Sequence, residues 1–105
     1  MTVIGIDFGT ANAMVGYFDG HAARIIPNAW GAELTPTVVN IAPQGEVTVG
    51  AVAKARGALA PQATAAGFKP FLGTPKRYVL RGQQYTPTEL TALVLKSLRA
   101  DAAQY

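Results

Sequence analysis

The sequence contains no cysteine, which excludes a disulfide framework, a thiolate metal site and a cysteine nucleophile. Its single histidine, His21, has no Cys, Asp or Glu at ligand spacing, and no Ser-His-Asp set can be assembled around it. Charge is scarce as well. Asp, Glu, Lys and Arg make up 14% of residues against 50% hydrophobic, the balance of a core-forming chain. Nine basic against six acidic residues give +3, but the basic ones are scattered apart from Lys76-Arg77. A nucleic-acid patch needs clustering, so no nucleic-acid partner is expected. No apolar run approaches the roughly 18 residues of a membrane span. The N-terminus lacks a basic segment, and Asp7 interrupts its first apolar run, so neither a signal peptide nor a membrane partner is expected. The expectation is a soluble, cytoplasmic protein. Its 105 residues form one small domain at most, burying roughly two-thirds of the unfolded surface.

What is present begins with an apolar strand, Thr2–Phe8, predicted to be buried on both faces. A second strand, Ala13–Phe18, follows with no helix between. Asp19-Gly20 predicts a two-residue hairpin turn into His21–Ile26, which Pro27 ends. Asn28–Leu34 reads as a loop carrying Trp30, although packing is the expected role for Trp30 and Tyr78 alike. Thr37–Ile41 and Glu46–Val49 read as strands around Pro43-Gln44-Gly45, and Ala51–Ala60 as a short helix weakened by Gly57. Gln62–Gly67 carries little signal. Pro70 prevents a regular helix through Phe68–Gly73, and Arg77–Leu80 with Gln83–Tyr85 predict a hairpin around Arg81-Gly82. The final helix has a capping box, with Thr86 at N-cap, Pro87 at N1 and Glu89 at N3. Leu90, Leu93, Val94, Leu98 and Ala102 then share one face up to about Gln104.

The turn between the first two strands carries the chemistry. Asp7 is a hard oxygen ligand suited to Mg²⁺, directly or through water. Gly9 permits close backbone approach to a phosphate. The amides of Thr10, Ala11 and Asn12 then form an anion-binding nest to which the Thr10 hydroxyl adds a donor. The same residues also fit a tight Asx-type turn with no ligand. Lys69, set among apolar residues near a turn, fits a point charge toward phosphate oxygens or an attacking water, and equally a snorkelling surface lysine.

Taken together, the motifs resemble a known family. Ile4-Gly5-Ile6-Asp7-Phe8-Gly9-Thr10-Ala11-Asn12 is similar to the first phosphate loop of DnaK-type heat-shock chaperones. Pro27-Asn28-Ala29-Trp30-Gly31 with Thr35-Pro36-Thr37-Val38-Val39 resembles the next signature, and Val49-Gly50-Ala51-Val52-Ala53-Lys54 the one after. Phe68-Lys69 with Leu72-Gly73 resembles the stretch holding the family's catalytic lysine. Tyr85-Thr86-Pro87-Thr88-Glu89-Leu90 and Leu95-Lys96-Ser97-Leu98 resemble the helix that follows. Three departures stand out. Ala11 replaces the usual second Thr, Glu33-Leu34 stands where the best-known members have Arg-Thr, and the segment after Gly73 is shorter. They look like a divergent, specialised bacterial branch.

The resemblance implies the actin-like, ribonuclease-H-like ATPase fold, an α/β architecture, and specifically its lobe I. Residues 1–34 would supply inner-subdomain strands, and residues 35–105 a small α+β outer subdomain. It also implies ATP or ADP and Mg²⁺ as cofactors. Asp7 would organise the Mg²⁺ shell, Gly9, Thr10, Ala11 and Asn12 would hold the phosphates, and Lys69 would position the attacking water. Client peptides, a J-domain co-chaperone and a nucleotide-exchange factor are the implied partners of the intact protein. The helix runs to the end without a breaker, so the chain is expected to be a piece of something longer. Three charge-assisted contacts at about 1.5–3 kcal/mol each barely offset an association cost of about 4–15 kcal/mol. Nucleotide binding by these residues alone is therefore expected at millimolar strength or weaker, without useful ATPase activity. The first strand, with an open edge, is expected to promote dimerisation or domain swapping. Another actin-like ATPase, a sugar kinase and a stand-alone binding module are the competing readings.

Overall fold

The computed structural model describes residues 3–105. Thr2 of the expected first strand lies outside the described residues. Nine short strands and two helices alternate with tight turns. Strands β1 (Gly5–Phe8), β2 (Asn12–Phe18) and β3 (Ala23–Ile26) form an antiparallel meander, and β4 (Thr35–Pro36) pairs with the start of β2. A second antiparallel sheet has β5 (Val38–Ile41) in the centre, flanked by β6 (Val47–Val49) and β7 (Thr64–Ala66). The hairpin β8 (Tyr78–Leu80) and β9 (Gln83–Tyr85) stands apart. Helix α1 (Ala51–Leu59) packs on the second sheet, and α2 (Pro87–Gln104) reaches both β5 and β2.

Burial on both faces belongs to β5 and not to β1. All four β5 residues are buried, with Val39 and Ile41 packed in a cluster with Leu90, Val94 and Leu98 of α2. Val38 and Asn40 face the other way by strand alternation. Strand β1 pairs only with β2, so Gly5, Ile6 and Asp7 are exposed, contrary to the sequence expectation. Its apolar composition reports a strand built for neighbours, and one neighbour covers only part of it.

The turn after β2 also differs from expectation. Phe18 pairs with Ala23, leaving a four-residue loop from Asp19 to Ala22. The Asp19 carboxylate accepts from the amides of His21 and Ala22 at 2.8 Å each and pairs with Arg24 at 2.7 Å. Those three donors hold its carboxyl below the usual range, the Arg24 bond foremost. His21 is thus an exposed loop residue and not part of β3.

Strand β7 occupies the stretch that carried little sequence signal. Two of its three residues, Ala65 and Ala66, have poor β propensity, and pairing with β5 imposes the conformation. Gly57 in α1 has a packing reason. A Cβ there would sit 2.9 Å from Cγ2 of Thr64, so the helix approaches β7 only because the side chain is missing. Thr64 links the layers further, since Asn40 Nδ2 donates to its hydroxyl at 2.9 Å, and that hydroxyl donates to the Ala60 carbonyl at 2.9 Å. The β8–β9 turn follows the expected position, with Arg81 at φ 50° and Gly82 at φ 79°. The capping box is complete, as Glu89 N donates to Thr86 Oγ1 at 3.0 Å and Thr86 N to Glu89 Oε1 at 2.8 Å.

Candidate phosphate-binding site

The connection from β1 to β2 is a tight loop in which the carbonyls of Gly9, Ala11 and Asn12 each accept a hydrogen bond. Gly9 N donates to the Asn12 carbonyl at 3.0 Å, closing the turn. A Cβ on Gly9 would stand 2.6 Å from that carbonyl oxygen, closer than real Cβ contacts come. Thr37, at the entrance to β5 and 1% exposed, then ties down two further carbonyls. Its hydroxyl donates to the Gly9 carbonyl at 3.0 Å, and its amide donates to the Ala11 carbonyl at 2.9 Å.

The consequence is a polarised loop. With the carbonyls of Gly9, Ala11 and Asn12 occupied, the amides of Thr10 and Ala11 have no acceptor among the described residues. Thr10, Ala11 and Asn12 are all exposed, so an anion can reach those donors. A loop with its carbonyls satisfied inside and amides free outside favours negative charge, whatever its side chains. Loss of a hydroxyl at Ala11 therefore leaves the backbone donor in place.

Asp7 lies two residues before Gly9, opposite Met14 and on the sheet face away from the Phe8 side chain. It is exposed and forms no ion pair among the described residues, where the Asp19–Arg24 pair stands alone. No group of three or more His, Asp or Glu suited to a metal occurs among those residues. An Mg²⁺ ion here would therefore depend on Asp7, retained waters and phosphate oxygens, a donor set that suits this hard cation.

Lys69 opens a 3-10 turn, Lys69–Phe71, in which Phe71 N donates to the Phe68 carbonyl at 3.0 Å. Its side chain is exposed while Phe68 beside it is fully buried. Phe68 and Ala13 belong to the same core cluster, with Phe8 packed against it. The phosphate loop and Lys69 are thus each one residue from a shared anchor, although no hydrogen bond joins them. Tyr78 packs edge-on against Phe68, with ring centroids 6.4 Å apart, and burial pushes its phenol up. Trp30 does not follow its expected packing role, because it is 70% exposed at the tip of the Asn28–Leu34 loop. Asn28 shapes that loop, its Oδ1 accepting from Trp30 N and Ala32 N at 3.0 and 3.1 Å.

A family model described as Hsp70 protein matches residues 3–79, well over half of the chain. The chain belongs to the Hsp70 family. The matched stretch contains the Gly9–Asn12 loop, Thr37 and Lys69, and membership decides against the sugar-kinase reading of the opening motif. Hsp70 membership implies the actin-like ATPase fold, with which the mixed α/β architecture and small antiparallel sheets agree. Intact members of the family are chaperones that bind ATP or ADP with Mg²⁺, and they generally engage client peptides and co-chaperones. Within this Hsp70 chain, Thr37 is the site residue that sequence reasoning missed. The sequence offered it only as part of the Thr35–Val39 signature and as the head of a strand, with no role at the loop. Among the described residues, no helix is long and apolar enough to cross a membrane.

Proposed function

We propose that this chain supplies lobe I of the ATPase domain of a DnaK-type bacterial chaperone that works in the cytoplasm. Residues 1–34 form its inner subdomain and residues 35–105 its outer one. The observation that carries the reading is the polarised loop, with the Gly9 and Ala11 carbonyls held by Thr37, the Asn12 carbonyl held by the Gly9 amide, and the Thr10 and Ala11 amides without an acceptor among the described residues.

In this reading the Thr10 and Ala11 amides and the Thr10 hydroxyl receive the β- and γ-phosphates, with Gly9 allowing close approach. Asn12 closes the loop through its carbonyl. Asp7 would hold Mg²⁺ through its water shell, and the ion would supply positive charge to the phosphates. Lys69 holds the water that attacks, through its exposed ammonium. In the whole chaperone, nucleotide turnover at this site drives client-peptide binding and release, with a J-domain protein and a nucleotide-exchange factor as partners.

Titration of the 105-residue chain with Mg-ATP, followed by phosphorus and proton NMR of the nucleotide, tests the reading. The β- and γ-phosphorus lines are expected to broaden before the α line, at millimolar ligand. Broadening led by the adenine protons would contradict it, because the proposed contacts touch phosphate alone. Micromolar binding by calorimetry would contradict the expected weakness.

A further inference from the structure

A second site lies on the far side of the second sheet, away from the phosphate loop. The Pro43–Gly45 turn, the end of α1 and the β8–β9 turn enclose a cavity of about 290 Å³. Two guanidinium groups line it, Arg56 from the last turn of α1 and Arg81 from the hairpin tip. A second hollow of about 260 Å³ shares Ala42, Pro43, Gln44 and Arg81 with the first and continues toward Tyr85. Together they form a groove with Arg81 between its two halves.

Arg81 is held in place. Its Nε donates to the Ile41 carbonyl at 2.6 Å, and its backbone, at φ 50°, forms the tight β8–β9 turn with Gly82. Arg81 lines both hollows, and its two terminal amino groups make no hydrogen bond among the described residues. No Asp or Glu lines either hollow, and neither arginine has a carboxylate at ion-pair distance among the described residues. Arg56 also complements the negative end of the α1 dipole, but that role uses its charge without filling its donors. At the rim Leu59 is 90% exposed, an apolar side chain beside two unneutralised cations.

We propose that this groove binds an acidic, extended peptide segment, with one carboxylate bridging Arg56 and Arg81 and a neighbouring apolar side chain covering Leu59. Charge complementarity selects the acid, since a planar guanidinium fork matches a carboxylate and neither arginine has a carboxylate partner among the described residues. The exposed leucine selects a peptide over a small inorganic anion, because phosphate leaves Leu59 uncovered. The site is independent of nucleotide and stands whether or not the phosphate-loop reading holds.

Fluorescence polarisation with the 105-residue chain tests the proposal, using a labelled acetyl-Asp-Leu-Glu-Asp-Leu-amide probe. A matched peptide with Lys at each acidic position is the control. The acidic probe is expected to bind, the basic control not to, and Arg56→Gln to weaken binding about tenfold, the loss of one charge-assisted contact. Arg81→Gln is expected to do the same, with circular dichroism reporting whether it folds. Should it unfold, Arg56→Gln still decides, because Arg56 is exposed on a helix that accepts Gln. Leu59→Ser is expected to weaken the peptide while leaving inorganic phosphate competition unchanged. Equal binding of the two peptides, or wild-type affinity in Arg56→Gln, would overturn the proposal. Phosphate competing as well as unlabelled peptide on a molar basis would overturn it in favour of a simple anion site.

Discussion

The hydroxyl of Thr37 donates to the Gly9 carbonyl at 3.0 Å, across 28 residues of sequence. The amide of Thr37 donates to the Ala11 carbonyl as well, so one buried residue between β4 and β5 holds two oxygens that would otherwise repel an anion. The phosphate-facing surface of the loop is therefore shaped by a residue that touches no phosphate.

Replacing Thr37 with Val tests this directly. The shape is kept, the donor is lost, and the Gly9 carbonyl is left without its partner in a part-buried position. A stability loss of about 1–3 kcal/mol is expected in urea unfolding, with Thr37→Ser recovering most of it. Equal stability of Thr37→Val and wild type would show that the hydroxyl has no such role.

Gly9→Ala is expected to be costly for a steric reason. The new methyl meets backbone oxygen, not a flexible side-chain end, and the 2.6 Å approach is relieved only by opening the turn. Strain of this kind costs about 1–3 kcal/mol. Loss of the Gly9–Asn12 bond, seen as faster hydrogen exchange at the Gly9 amide, should accompany it. A variant with unchanged exchange and unchanged unfolding midpoint would contradict the close-approach argument.

The pH dependence has a local source in Asp101. Burial raises its carboxyl above the ordinary value of 3.8, against a smaller lowering by the Ala29 amide. The folded chain thus holds this proton more tightly than the unfolded chain. Its contribution to stability is complete below 3.8 and is lost as pH rises through the folded value. Asp19 acts oppositely, since its lowered carboxyl contributes stability above 3.8 that disappears in acid. Asp101→Asn is therefore expected to gain on wild type as pH rises from about 4 to about 7. A stability difference independent of pH in that range would contradict the assignment.

Much of this architecture was legible in the chain because its signals are local. The Thr86 capping box, the Arg81-Gly82 turn and the apolar stripe of α2 depend on residues close in sequence, and they lie where expected. The Gly9–Asn12 loop was legible as a motif, though what polarises it was not. Thr37 reaches it from between β4 and β5, and no periodicity announces such a contact. Strand β7 escaped for the same reason, since only the pairing of Val39 with Ala65 and its neighbours makes Thr64–Ala66 extended. Trp30 misled through its size, because composition favours burying an indole while the Asn28-built turn holds it outward.

The free edge of β1 leads to an expectation about assembly. Ile6 is 38% exposed on an edge strand, and a cavity of about 840 Å³ lined by residues such as Met14, Phe18 and Ile25 covers that end of the sheet. An open apolar edge recruits another strand. The 105-residue chain is expected to show a mass above monomer by light scattering at high concentration, and Ile6→Lys to reduce it. A monomer at every concentration would contradict this.

The central claim is that the Thr10 and Ala11 amides are a backbone anion site held open by Thr37. Amide chemical shifts of the 105-residue chain, followed through a titration with Mg-ATP, test it most directly. The account predicts that the Thr10 and Ala11 resonances shift most, at millimolar ligand, and that Thr37→Val reduces the effect. Shifts confined to other residues, with Thr10 and Ala11 unmoved at saturation, would contradict it.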